Sequence, residues 1–110
     1  WIIRNNTSEI EETKPDKVAI GGFTSDDYIF SKYTFTLNTN DTIYIFTDGF
    51  ADQFGGPDKK LMTKNFKKVL FSIQDKTMED QKIHLDNFIE NWKGSIEQTD
   101  DILVIGIKVT

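Results

Sequence analysis

A short apolar run, Ile43–Phe46, leads straight into Thr47-Asp48-Gly49, and a second, Ile102–Val109, starts directly after Thr99-Asp100-Asp101. No other feature constrains the fold as much. Both runs are short and rich in β-branched residues, so both read as strands. Ile43–Phe46 is continuously apolar, which predicts a strand covered on both faces. If the two strands lie side by side and antiparallel, the end of the first meets the start of the second. Asp48 and Asp100 then converge from distant parts of the chain.

The sequence before Ile43 has the texture of strands and turns. Trp1–Arg4 predicts a strand, and the charged stretch Ser8–Lys14 an arm of a hairpin. Pro15-Asp16 marks a turn and Ile20-Gly21-Gly22 a loop. Tyr33, Phe35 and Leu37 alternate, which predicts a strand folded back onto Ile43–Phe46 through the polar turn Asn38-Thr39-Asn40-Asp41.

Residues 57–93 carry helical periodicity instead. Met62, Phe66, Val69, Leu70 and Ile73 form one apolar stripe, with Thr63 as the expected N-cap. Thr77-Met78-Glu79-Asp80 has the form of a capping box, with Asp in place of the usual Glu. Leu85, Phe88, Ile89 and Trp92 form a second stripe, which Gly94 terminates. Strands, then two helices, then a strand predict an α+β fold: an antiparallel sheet with two helices packed on one face.

At 110 residues the chain is one domain, 1–110, large enough for a core. Its first residues, Trp1-Ile2-Ile3-Arg4, read as the middle of a strand, so the expectation is a domain truncated at its N-terminus. The net charge of −5 argues against a nucleic-acid partner. The exception is Lys59, Lys60, Lys64, Lys67 and Lys68, which read either as a solvated helix face or as a docking surface for an acidic or phosphorylated partner. No apolar run approaches the roughly 18–20 residues that span a bilayer, so no membrane is expected. The absence of cysteine removes disulfides and thiolate sites, and it suits the cytoplasm.

Converging carboxylates repel unless a cation lies between them, and hard oxygen donors suit Mg²⁺ or Mn²⁺. Gly49 would let the backbone turn sharply beside such an ion. The bland reading stands beside this one. Asp-Gly is a common turn dipeptide, and Asp-Asp before a strand caps a loop. His84, the sole histidine, falls beside the apolar stripe of the second helix and reads as structural. Ser25-Asp26-Asp27 reads as a polar loop, near a site at most. No P-loop, GxGxxG or HExxH is present.

Taken together, DTIYIFTDGFADQFGG, the helical segment, and WKGSIEQTDDILVIGIKV resemble the C-terminal portion of the SpoIIE-type, protein phosphatase 2C-like (PPM superfamily) serine/threonine phosphatases of bacteria. The likeness runs over residues 1–110 and is specific at Asp41–Gly49 and Gln98–Val104. KPDKVAIGG, at Lys14–Gly22, is similar to the family's glycine loop near the active site.

The resemblance implies a partial protein phosphatase 2C-like β-sandwich. It also implies hydrolysis of phosphoserine or phosphothreonine on proteins with two Mn²⁺ or Mg²⁺ ions. Asp48 matches the aspartate of the Asp-Gly motif and Asp100 the first position of the Asp-Asp motif, both ligands. Asp101 is the neighbouring acidic position and Gly49 the motif glycine. The predicted metal-site residues are therefore Asp48, Gly49, Asp100 and Asp101. The implied partner is a phosphorylated regulatory protein of the anti-anti-sigma kind, in two-component signal transduction.

The family also has an earlier Asp-x-x-Gly-His-Gly element and a further upstream aspartate, and this sequence contains neither. The expectation is a chain inactive alone, belonging to an active parent. The alternative is a non-catalytic interaction or dimerisation module of the same fold, whose exposed sheet edge would support a homodimer. A third reading is an unrelated α+β domain with two ordinary Asp turns.

Overall fold

The computed structural model describes residues 1–7, 9–14 and 32–110. Two short strands open the fold, β1 (Ile2–Ile3) and β2 (Ile10–Glu11), paired antiparallel. The chain bends after β1 at Asn6, whose φ of 62° lies in the left-handed region that asparagine tolerates. β3 (Thr42–Phe46) lies between β1 and the last strand, β4 (Val104–Lys108), and the sheet order is β2-β1-β3-β4. Both β3 pairings are antiparallel, and Phe46 lies opposite Val104. The expected neighbourhood of the two strand-end motifs is present.

The expected hairpin between Tyr33–Leu37 and Ile43–Phe46 is not. Residues 32–38 form no strand, and Tyr33 and Phe35 are exposed. The reason is competition for hydrogen bonds: β1 and β4 occupy both edges of β3. The polar turn itself forms. Asp41 N donates to Asn38 O at 3.0 Å, with Asn40 at φ 71°. It continues the ladder to β4, because Asn40 N donates to Val109 O at 2.7 Å.

Three helices follow β3: α1 (Gly49–Asp52), α2 (Thr63–Ser72) and α3 (Met78–Lys93). The single turn α1 was not foreseen. α3 matches its sequence signals: Thr77 accepts from Asp80 N at its start, and Gly94 ends it at φ 56°. α2 departs from them. Thr63 is its first helical residue, the N-cap is Met62, and Met62 is 57% exposed, outside the apolar stripe.

The core lies between the helices and one face of the sheet. Phe66 of α2 is completely buried at its centre, stacked on Phe50 at 4.4 Å and edge-on to Phe46 at 5.2 Å. Burial of a side chain of this size contributes about 1.5–3 kcal/mol. Trp1, Ile3, Tyr44, Ala51, Leu61, Leu70, Ile73 and Ile89 complete the cluster. Within it the Tyr44 hydroxyl donates to Gln81 Oε1 at 2.5 Å and accepts from Gln74 Nε2 at 2.7 Å. This links β3, α3 and the α2–α3 turn through one buried oxygen.

The opposite face of the sheet is different. Ile45 is 57% exposed and Ile107 50%, with Leu103 and Ile105 also exposed. Among the described residues, β3 is therefore covered on one face, not both. The helices all lie on the Tyr44 side, and strand alternation turns Ile45 to the other. The architecture is α+β, an antiparallel sheet with helices on one face, as expected.

Candidate metal centre

Beyond the Phe46–Val104 pair, Thr47 extends the ladder by both backbone and side chain. Its N–H donates to Leu103 O at 3.0 Å. Its hydroxyl donates to Asp101 O at 2.9 Å and accepts from Leu103 N at 3.1 Å. The two acidic motifs are thus held at the same end of the sheet by one threonine. Sequence reasoning did not single out Thr47, although Thr recurs before both motifs.

Gly49 sits against the second motif. A Cβ on Gly49 would lie 2.1 Å from Asp101 O and 2.8 Å from its carbonyl carbon. Contacts that short do not occur, so this position requires glycine. The reason differs from the one expected. Gly49 is helical, and Gly94 is the one glycine with a positive φ among the described residues. What matters is close backbone approach rather than a sharp turn.

Asp48 occupies the N-cap position of α1, yet its side chain makes no capping hydrogen bond. Its carbonyl accepts from Asp52 N at 2.9 Å, while the carboxylate is exposed and has no hydrogen-bond partner among the described residues. An aspartate that capped α1 would accept from a backbone N–H of its first turn. At the other end of β3, Asp41 shows what a structural aspartate looks like. It is buried, and it accepts from Asn38 N at 2.8 Å, Asn5 N at 2.9 Å and Arg4 Nη1 at 2.9 Å. The Asn38 and Asn5 amides, then Arg4, hold its carboxyl below the usual aspartate range.

Asp100 and Asp101 are exposed. Asp100 Oδ1 accepts from Asp101 N at 2.8 Å, and its carbonyl accepts from Gln98 Nε2 at 2.9 Å. Thr47 and Gly49, the residues on either side of Asp48, both meet the Asp101 carbonyl, and Asp100 is one residue away. Among the described residues no three His, Cys, Asp or Glu side chains gather closely enough to hold an ion. Asp48, Asp100 and Asp101 are carboxylates, the oxygen-donor type that a hard cation takes.

His84 is half-buried on α3 and takes no part in this site. Gly21-Gly22 and Ser25-Asp26-Asp27 lie outside the described residues. A cleft of about 630 Å³ between α3 and β4 begins beside the site, at Phe50 and Ile102.

The family model described as Stage II sporulation protein E (SpoIIE) matches residues 1–110. The chain belongs to the SpoIIE family. Among solved structures it is similar to the SiaA-PP2C domain of Pseudomonas aeruginosa, at 22% identity and a TM-score of 0.70. That match covers 76% of this chain and 35% of the other, so the chain spans about a third of the length of that structure. No curated protein matches. The likeness to the SiaA-PP2C domain shows that the chain has a protein phosphatase 2C-like fold. No helix among the described residues is long and apolar enough to cross a membrane.

Proposed function

We propose that this chain supplies part of the metal centre of a Mn²⁺- or Mg²⁺-dependent protein serine/threonine phosphatase. Its substrate would be a phosphorylated regulatory protein in bacterial signal transduction, and its compartment the cytoplasm. The observation that carries the reading is the Asp48 carboxylate. It stands at an N-cap without capping, exposed, at the same sheet end as Asp101. In a SpoIIE-family chain, a strand-end carboxylate with no partner among the described residues supports a ligand role.

In this reading Asp48 and Asp100 hold the cations, and Asp101 adds negative charge beside them. Gly49 lets the two motif backbones meet, and Thr47 fixes their register. Bound ions would lower the pKa of a water and neutralise the phosphoryl oxygens. The protein's part is to hold these carboxylates rigidly at a sheet end, so that no reorganisation is needed on binding.

Calorimetric titration of the chain with Mn²⁺ tests the site. Weak binding that disappears in Asp48→Asn and Asp100→Asn is expected, and binding indifferent to both removes the proposal. The chain alone should not hydrolyse a small phosphoester, because it has no Asp-x-x-Gly-His-Gly element. Mn²⁺-dependent turnover lost in Asp48→Ala would overturn that expectation.

A second reading has its own observation. The exposed aliphatic face of Ile45, Leu103, Ile105 and Ile107 suits a non-catalytic interaction or dimerisation module. Light scattering across concentration separates the two, since a strict monomer at high concentration counts against the module.

A further inference from the structure

Met62 holds a backbone conformation that few residues other than glycine adopt, with φ 78° and ψ 151°. Two hydrogen bonds fix it there. Its N–H donates to Ala51 O at 2.8 Å, and its carbonyl accepts from Phe66 N at 3.1 Å as the first acceptor of α2. Glycine would serve both bonds without strain. Packing does not offset the strain either, since the Met62 side chain is mostly exposed.

The stretch of sequence around this methionine is basic. Residues 59–68 contain five of the chain's 13 basic residues and no acidic one, in a chain whose net charge is −5. Lys64, Lys67 and Lys68 are spaced i, i+3, i+4 on α2, opposite its buried Phe66, Val69 and Leu70. Lys60 reaches Asp52 only at 3.9 Å, and Lys67 lies over the Trp1 ring at 5.1 Å. Lys59, Lys64 and Lys68 have no carboxylate within salt-bridge distance among the described residues. An exposed apolar anchor bordered by charge is how interfaces are built, and methionine is enriched in them.

The patch is tied to the candidate centre. Leu61 N donates to Gln53 O and Met62 N to Ala51 O, so this segment is pinned to α1, the helix that Asp48 begins.

We propose that Met62 and the lysines around it form the docking surface for an acidic segment of the phosphorylated protein on which the centre acts. The phosphatase reading supplies the partner's identity as a phosphoprotein. Charge complementarity supplies the rest: a phosphoryl group adds about −1.5 to −2 charges, and the patch is the one acid-free stretch of lysines in an acidic chain. Met62 packs against an apolar side chain of that segment while the lysines steer it in.

The test is fluorescence anisotropy with the full chain and a labelled, Asp/Glu-rich phosphoserine peptide containing one leucine. It is run in chelator, so that its failure does not touch the metal-centre reading and a failure of hydrolysis does not touch docking. Binding that weakens with salt is expected. Lys64→Glu with Lys68→Glu should lose roughly tenfold or more in affinity. Met62→Gly should lose roughly fivefold while melting at a higher temperature, because strain is relieved as the anchor is removed. A double variant that binds like the parent overturns the proposal, as does Met62→Gly at full affinity. Binding loss with a lower melting temperature would mark Met62 as merely structural and also overturn it. Stronger capture by anionic phosphatidylglycerol vesicles than by the peptide would assign the patch to a membrane surface instead.

Discussion

The Thr47 hydroxyl donates to the Asp101 carbonyl at 2.9 Å while accepting from Leu103 N at 3.1 Å, so one side chain spans the gap between two acidic motifs. Thr47→Val keeps the shape and loses both bonds. The expected cost is about 1–2 kcal/mol in urea unfolding, with weakened Mn²⁺ binding, and Thr47→Ser should recover most of both. A valine variant with unchanged metal affinity would show that register at this end does not matter to the site.

Gly49→Ala sets a methyl group against the Asp101 carbonyl, where the ideal position is 2.1 Å away. A backbone oxygen cannot swing aside as a side-chain tip can. The expected destabilisation is about 1–3 kcal/mol, together with separation of the two motifs. Equal melting temperatures for parent and variant would refute the close-approach account.

Tyr44→Phe removes the hydroxyl that serves Gln81 and Gln74. Gln81 is buried and loses the donor to its Oε1. The expected loss is about 1–3 kcal/mol, read by thermal denaturation. No loss would mean that water or a rotated Gln81 satisfies the site.

Acid should unfold the protein partly through Asp41. Its folded pKa lies below the ordinary aspartate value of about 3.9. Its contribution is therefore complete above that value and is lost as pH falls through the lower, folded one. Melting temperature should drop more steeply below pH ~4 in the parent than in Asp41→Asn. Parallel curves for the two proteins would exclude Asp41 as the cause.

Much of this arrangement was legible in the residues. Ile43–Phe46 and Ile102–Val109 read as strands, though their adjacency was only a supposition, and Thr77 and Gly94 marked the limits of α3. The misses have physical causes. A strand has two edges, and nothing in Tyr33–Leu37 reveals that β1 and β4 already occupy those of β3. A continuously apolar strand looks the same whether its second face is covered or, as at Ile45, exposed. Met62 fits the periodicity of α2, but its backbone is set by a bond to Ala51 that only tertiary structure creates. At the candidate centre, the position of Asp48 at a strand end could be read. That it leaves the first turn of α1 uncapped could not, because capping depends on a side-chain rotamer.

The strand order β2-β1-β3-β4 has a kinetic consequence. The partners of β3 come from opposite ends of the chain, Ile2–Ile3 and Val104–Lys108. α2 and α3 can form from local contacts, but the sheet must wait for its most distant segment. Refolding of this chain should therefore be limited by the closure that brings β4 to β3, with α2 and α3 forming ahead of the sheet.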